Sequence, residues 1–157
     1  MKKEQEIQAW HVTTDRLRDG RPIPPIGEWL VHDRKPEICE HGFHASRRLR
    51  DALSYAPYGS TFVHRVRLSG DVTEQADKLV ARRRVIDATY PLTKEIVVKW
   101  VEECAAMARW AAASAPQSRY AYAAAYAAAY ATNAATARTN MRDVLEARLI
   151  ALVTGEG

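Results

Sequence analysis

Alternating apolar and polar residues mark several short β-strands in the N-terminal part of the chain. The clearest run covers residues 61–68, in which Phe62, His64 and Val66 occupy alternate positions. A period of two places successive side chains on opposite faces of a strand, so one face can pack on a core. Similar runs predict strands over residues 8–13, 28–32 and 78–86, and an extended segment over residues 42–45.

Helical periodicity replaces this alternation in three places. Ser46 is a predicted N-cap for a helix over residues 47–56, whose apolar residues recur three and four apart before Pro57 ends it. Thr93 is the predicted cap of a longer helix reaching about residue 113, with Glu95 in its first turn. A break at residues 114–116 separates this helix from a last one that ends near residue 153.

The composition of the chain changes near residue 92. Before this position lie six of the seven prolines, five of the seven glycines and all five histidines. Long alanine-rich runs follow it, and alanine has the highest helix propensity. We therefore predict an α+β unit over residues 7–92 and a helical segment over residues 93–154.

Tyrosines recur every four residues within the alanine-rich segment, at positions 122, 126 and 130. This spacing draws a slowly drifting stripe on one face of a helix, and the alanines between let another helix approach closely. We interpret the stripe as a packing surface, either within the chain or between the subunits of a homo-oligomer. A base-stacking role is the alternative, but only Arg119 supplies a nearby positive charge in the sequence.

Composition also indicates where in the cell the protein is located. Cys39 and Cys104 are the only cysteines, too few for a disulfide framework and compatible with a reduced cytosol. The N-terminus is charged and has no apolar run behind it, so we expect no signal peptide. We also expect no membrane span, since no segment is long and apolar enough. These features favour a cytoplasmic location.

The net charge is +4, and the arginines are clustered. Because the guanidinium fork matches phosphate oxygens in geometry, such clusters suit phosphate ligands. The alternative is a solvated surface on which the arginines alternate with acids. The clusters are Arg47, Arg48 and Arg50; Arg65 and Arg67; and Arg82, Arg83 and Arg84.

The segment from Cys39 to Ser46, with the helix that follows it, is the main candidate for a functional site. His44 lies where a strand runs into the helix, whose N-terminal N–H groups could face a phosphate. An aromatic ring at Tyr55, further along that helix, could stack on a base or a nicotinamide ring. The predicted nucleotide-binding residues are His11, Thr13, Gly42, His44, Ser46, Arg47 and Tyr55.

The order of these motifs resembles the NAD-binding core of the ADP-ribosyltransferase superfamily, in its poly-ADP-ribose polymerase-like branch. The matching segments are residues 10–13, 42–46 and 52–55, and the eleven-residue step from His44 to Tyr55 equals that branch's spacing between two tyrosines. The resemblance implies that the α+β unit is built on a small, mainly antiparallel split sheet. It also implies that His11 holds the NAD ribose while His44 and Tyr55 enclose the nicotinamide.

Two departures from that family pattern bear on activity. His44 stands where the family has its first tyrosine. The family's catalytic acid lies on a late strand, but the corresponding residues 78–86 contain no acid, and Glu74, Asp77 and Glu95 only flank them. The resemblance therefore leaves the catalytic residue unidentified.

The chain also resembles an uncharacterised family common in phage and prophage genomes. The shared segments are Trp10-His11, residues 39–46, residues 51–57, residues 77–80 and an alanine-rich tail over residues 105–137. This resemblance implies a phage origin and a place in the cytoplasm of an infected or lysogenic bacterium.

Two further chemistries remain open for the histidine-rich segment. Cys39, His41 and His44 could ligate zinc, with His11, His32 or Cys104 completing the site, although their spacing is not that of a standard zinc motif. Cys39 could instead act as a nucleophile beside His41 or His11.

The sequence thus favours a phage-type protein that binds NAD or a related nucleotide and modifies or counteracts a host factor, an anti-defence role. The alternative is a non-enzymatic protein that contacts a host protein, or less favourably nucleic acid, through its Ala/Tyr helices and arginine clusters. An acid among Glu74, Asp77 and Glu95 that reaches the cleft near His11 would favour transfer chemistry. If residues 82–84 line that position instead, a binding role is favoured over transfer chemistry.

Overall fold

The computed structural model describes residues 5–113 and 143–156. The chain divides into two compact units, Met1–Thr93 and Lys94–Gly157. The described residues combine antiparallel sheets with helices, which confirms the predicted α+β class. The strands, in chain order, are β1 (Ile7–Thr13), β2 (Trp29–Val31), β3 (Phe43–Ala45), β4 (Phe62–Ser69), β5 (Thr73–Gln75), β6 (Lys78–Ala81) and β7 (Arg83–Pro91).

The strands form two sheets, as the prediction of a split sheet required. A four-stranded sheet has the order β1-β4-β7-β2, and a three-stranded sheet has the order β3-β6-β5. Every strand pair in both sheets is antiparallel. The sheets meet where the N–H of Trp10 donates to the carbonyl of Ser46 at 2.7 Å and the N–H of Ser46 donates back at 2.9 Å.

The core of the first unit lies between the two sheets. Its members come from β1, β3, β4, β6 and β7, so each sheet covers an apolar face of the other. Burying these side chains supplies the main driving force for the arrangement. The buried cluster consists of Ala9, Phe43, Ala45, Val66, Leu68, Leu79, Ala81 and Ile86.

The predicted strand over residues 78–86 is in fact two strands. The chain leaves the small sheet after Ala81 and enters the large one at Arg83, and the N–H of Arg82 donates to the carbonyl of Gly70 instead of to a strand partner. The sequence carries no breaker at this point, so the change of sheet is not visible in the pattern. Strand β5 was not predicted, because all three of its residues are exposed and show no alternation.

Helix α1 spans Leu49–Ser54 and buries Leu49 and Ala52 on its inner face. The predicted helix over residues 47–56 was too long, and the prediction that Ser46 caps it is wrong. Arg48 occupies the N-cap position without a side-chain hydrogen bond, while Ser46 is buried in its bridge to Trp10. The backbone N–H and carbonyl of Ser46 form hydrogen bonds with Trp10 between the two sheets, so Ser46 is not available to begin the helix.

The second unit is helical where the structure describes it. Helix α2 spans Lys94–Ala113, as predicted, and residues 143–154 are also helical. Leu149 and Val153 are buried, and Arg148 pairs with Glu103. The predicted break at residues 114–116 and the stripe of tyrosines at positions 122, 126 and 130 lie outside the described residues. No helix in the described ranges has the length and apolar character needed to cross a membrane.

Candidate functional site

A cavity of about 750 Å³ opens in the first unit, and we name it the Arg84 cavity after its most buried charged residue. Residues of β1, β3, α1, β6 and β7 line it, together with the loop that follows β1. Arg84 and His11 mark its buried end, and the half-exposed Tyr55 marks its exposed end. Five of the seven predicted nucleotide-binding residues line this cavity, namely His11, Gly42, His44, Ser46 and Tyr55.

Arg84 is the central feature of the buried end. It lies on β7 between Leu68 of β4 and Leu30 of β2, and only 4% of its surface is exposed. Its Nη1 donates to the carbonyl of His44 at 3.3 Å, and its guanidinium carbon lies 5.0 Å from the ring centroid of Phe43. Its Nε is buried without a hydrogen-bond partner. Within the described part of the chain, no carboxylate lies within ion-pair distance of this guanidinium.

The surroundings of Arg84 suit an anion. Burial lowers the pKa of Arg84 to about 10, with a smaller opposing effect from Asp19, so the side chain stays charged at neutral pH. Asp19 itself is held by Arg21, whose Nη2 lies 2.7 Å from the carboxylate. A buried charge without a partner costs on the order of several kcal/mol. An anionic ligand in the cavity beside this guanidinium would offset that cost.

His11 lies on β1 opposite His64 of β4, and their ring centroids are 6.2 Å apart. Burial is the main cause that holds the pKa of His11 well below its usual value, and the positive charge of Arg84 adds to it. His11 is therefore neutral at pH 7 and can donate or accept a hydrogen bond at the cavity wall.

His64 is a structural residue with both ring nitrogens engaged. The hydroxyl of Thr13 donates to the carbonyl of Thr14, so it accepts from Nε2 of His64, at 2.8 Å. Nδ1 then accepts from the hydroxyl of Thr89 at 2.9 Å. Burial, aided by Arg84, lowers the pKa of His64 to about 4. Thr13, predicted as a nucleotide-binding residue, instead orients this buried ring and does not line the cavity.

His44 lies on β3, and its ring is held within its own loop. The backbone N–H of Cys39 donates to Nε2 of His44 at 3.0 Å, which places the ring proton on Nδ1. Burial lowers the pKa of His44, so the ring is neutral. Cys39 adopts a positive φ of 68°, an uncommon conformation for a residue with a side chain, and thereby turns its N–H toward the imidazole.

Gly42 brings the backbone of this loop against the small sheet. Its φ is +105°, and a Cβ built there would lie 2.8 Å from Cγ2 of Val80 and 3.0 Å from the carbonyl oxygen of Ala81. Both the conformation and the space therefore require glycine. This close approach sets the position of β3 and hence of His44.

The exposed end of the cavity carries a linked group of polar side chains. The hydroxyl of Tyr55 donates to both carboxylate oxygens of Asp77 at 2.8 Å, and this hydrogen bond raises the pKa of Tyr55. Nζ of Lys78 lies 4.6 Å from the centroid of the Tyr55 ring and donates to Sγ of Cys39 at 3.5 Å. The aromatic face predicted for base stacking is thus oriented by an acid and flanked by a cation.

Arg47 lies away from the cavity, although the sequence placed it in the site. Its guanidinium forms two hydrogen bonds with Glu74, at 2.6 and 2.9 Å, and both side chains are exposed. The predicted phosphate site at the helix start is not formed, because Arg47 points to β5 and Ser46 is held by Trp10. The arginine that does line the cavity is Arg84.

The described contacts support neither of the two alternatives for the histidine-rich segment, a zinc site or a Cys39 nucleophile. In residues 5–113 and 143–156, no three His, Cys, Asp or Glu side chains form a group that could hold a metal ion. Nε2 of His44 already accepts from the N–H of Cys39. The thiol of Cys39 contacts Lys78, and His41 forms a bridge with Glu37.

Arg84 is the main residue that the sequence did not single out, since it was one member of an arginine cluster. A signal was present. Arg84 stands two residues before Ile86, so both belong to the same face of β7, the face that packs against Leu68 and Val66. A charged residue in phase with core residues is the pattern that could have identified it.

One family model matches this chain, a Domain of unknown function (DUF7666), over residues 7–98. No curated protein and no solved structure matches it. The matched residues include the whole of both sheets and every residue that lines the Arg84 cavity. Because the match covers more than half of the chain, the protein belongs to the DUF7666 family.

Proposed function

We propose that the Arg84 cavity binds NAD or a related phosphate-containing nucleotide. The observation that carries the proposal is the buried guanidinium of Arg84, which is among the residues that line the cavity and has no carboxylate partner among the described residues. A volume of about 750 Å³ falls in the range of pockets that enclose a drug-sized or nucleotide-sized ligand.

The two ends of the cavity suit the two parts of a nucleotide. A phosphate at the buried end would accept from Arg84, with neutral His11 as a further hydrogen-bonding group. A base or nicotinamide ring at the exposed end would lie near Tyr55, whose ring is half exposed while its hydroxyl is fixed by Asp77. The ADP-ribosyltransferase resemblance implies the same role for Tyr55 at the nicotinamide, but it assigns His11 to the NAD ribose instead of to a phosphate.

The residues around the cavity support binding more than group transfer. Of the acids that could stabilise a ribosyl cation, Glu74 is paired with Arg47, and both oxygens of Asp77 accept from Tyr55. Two acids line the cavity itself: Asp19 is paired with Arg21, and Glu40 is exposed. The position near His11 is taken by Arg84, a cation that would oppose a developing positive charge. We therefore propose a binding protein, with transfer activity as the outcome that an assay must exclude.

Calorimetry with NAD, ADP-ribose and adenosine tests this function. We expect the two phosphate-containing ligands to bind and adenosine to bind weakly, because adenosine offers no anion to Arg84. Arg84→Met should abolish phosphate-dependent binding, and the matched control Arg82→Met, two residues away and exposed, should not change it. Absence of binding by every nucleotide would refute the proposal. Release of nicotinamide on incubation with NAD would show turnover instead of simple binding.

We extend the proposal to a phage origin and to a role in counteracting a host factor. The protein would do so by binding and sequestering a nucleotide. Both rest on the sequence resemblance. Phage infection of a bacterium that expresses the chain, compared with one that expresses Arg84→Met, would test the role. Equal infection outcomes in the two strains would count against it.

The alternative, a binding surface made of arginine clusters, receives less support. Arg47 is paired with Glu74, and Arg67 is paired with Asp87 and Glu6, so these guanidinium groups already have partners within the chain. The Ala/Tyr segment lies outside the described residues, and assembly through the C-terminal helices stays a prediction.

A further inference from the structure

We propose that the buried end of the Arg84 cavity accepts a phosphodiester, which carries one negative charge, and discriminates against a terminal phosphate monoester, which carries two. The inference rests on the nucleotide binding proposed above and specifies its ligand class. Dinucleotides and cyclic or esterified nucleotides belong to the favoured class, and free nucleoside monophosphates to the disfavoured one.

The argument begins with the charges at the buried end. Arg84 contributes a single positive charge from β7, and the described residues place no second buried cation beside it. Histidines face it from the other strands, His11 on β1, His44 on β3 and His64 on β4. The loop after β1 contributes Asp19 and Arg21, which neutralise each other. One unpaired cation balances one negative charge.

The histidines are poorly placed to supply a second positive charge. Protonating His44 would put an N–H at Nε2, where the N–H of Cys39 already donates. Protonating His64 would put an N–H at Nδ1, where Thr89 donates. In each case two donors would face each other, so the hydrogen bonds fix both rings as neutral.

His11 is the remaining candidate, and its position opposes protonation. A hydrogen bond with the backbone of His44 favours its protonation, but burial and the nearby Arg84, His64 and His44 oppose it more strongly and hold its pKa low. A dianion at Arg84 must therefore bring in a proton, either on His11 or on the phosphate itself. A diester needs no proton, since it already matches the charge of Arg84.

The exposed end can accept a second phosphate of a dinucleotide. Two further cations, Arg18 and Lys78, line the same cavity, together with Glu40, Cys39 and His32, and Arg18 and Glu40 are exposed. A pyrophosphate diester distributes its two charges over two phosphorus atoms. It can therefore place one charge at Arg84 and the other toward Arg18 and Lys78, which a monoester dianion cannot do.

The test compares adenosine 5′-monophosphate with its methyl ester by calorimetry on the full chain at pH 7.5, in two buffers with different ionisation enthalpies. The second pKa of a phosphate monoester is about 6, so the monophosphate is a dianion at this pH and the ester is a monoanion. We expect the ester to bind at least about tenfold more tightly, because a proton must enter a group whose pKa is at or below about 6.5. We also expect proton uptake for the monophosphate alone.

The outcomes separate this inference from the function on which it rests. If the monophosphate binds as tightly as the ester, the charge selectivity is refuted while nucleotide binding stands. If neither ligand nor NAD binds, nucleotide binding itself is refuted. At pH 5.5 the monophosphate also becomes a monoanion. If the ester's advantage in affinity over the monophosphate shrinks at this pH, the inference is supported. If the ratio of the two affinities is the same at both pH values, the result counts against the inference.

Discussion

Arg82 and Arg84 lie two residues apart but have different surroundings. Arg82 is exposed and its Nε donates to the carbonyl of His32, whereas Arg84 is buried with an unpartnered Nε. The difference arises because Arg82 falls at the break between β6 and β7, while Arg84 is already within the large sheet. At the residue scale, the position relative to this break decides which arginine can serve a ligand.

Replacement of Arg84 by methionine should leave the unfolding free energy of the ligand-free protein unchanged or raise it, by up to about 4 kcal/mol, because the variant no longer buries an unpaired charge. Urea denaturation measures this change. Arg67→Met is the matched control, since Arg67 pairs with Asp87 and Glu6 and its loss should cost about 1–3 kcal/mol. A larger loss for Arg84→Met than for Arg67→Met would contradict an anion-binding role.

Gly42→Ala should lower the unfolding free energy by about 2–4 kcal/mol, since it combines an unfavourable φ with a contact of 2.8 Å to Val80. Gly20→Ala is the control, because Gly20 has a similar φ of +83° but nothing within 4 Å, so only the backbone term of about 1 kcal/mol remains. Thermal or urea unfolding of both variants tests the comparison. Equal losses would show that the close approach to β6 does not matter.

His64 should make the protein less stable at acidic pH. Its pKa is about 4 in the folded chain and about 6.5 when unfolded, so between these values the unfolded state binds the extra proton. Stability is therefore full above pH 6.5 and falls by about 2–3 kcal/mol on acidification to pH 4.5. His64→Gln, which keeps two hydrogen-bonding groups but does not titrate, should show a smaller fall in urea denaturation. An identical fall in the variant would assign the effect to other groups.

At the element scale, the strands were easier to predict than their connections. The alternation in residues 61–68 identified β4, and the runs over residues 8–13 and 28–32 identified β1 and β2. The pattern could not show that residues 78–86 change sheets, since apolar residues on both sides of Arg82 are buried, Val80 and Ala81 in one sheet and Val85 and Ile86 in the other. It also extended α1 too far, because Ser46 suits a helix cap as well as a bridge.

The predicted phosphate site at the start of α1 can be tested by replacing Arg47. Arg47→Ala should not change nucleotide affinity, because Arg47 points to Glu74 on β5 and does not line the cavity. It should lower the unfolding free energy by at most about 1 kcal/mol, as expected for an exposed ion pair. Calorimetry and urea denaturation on the same variant check both statements. A marked loss of affinity would restore Arg47 to the site.

At the scale of the whole molecule, the cavity belongs entirely to the first compact unit, since its lining residues run from Trp10 to Arg84. We therefore expect a fragment of residues 1–93 to unfold cooperatively and to bind nucleotide with the affinity of the full chain. Circular dichroism and calorimetry on the fragment and the full chain measure this. A folded fragment that fails to bind would show that the second unit contributes to the site.

Sequence patterns were sufficient to predict the α+β class, most strands, helix α2 and three residues, His11, His44 and Tyr55, that line a common cavity. These follow from local periodicity and short motif spacing, which act within one element or between neighbours in the chain. The three-dimensional structure was needed to show that Arg84 is the buried cation, that Thr13 orients His64 and that Arg47 faces away from the cavity. Each of these depends on which strands pair and where the chain changes sheets. The phase of Arg84 with Ile86 left a local signal in the sequence, but the contacts of Thr13 with His64 and of Arg47 with Glu74 join distant strands and leave none.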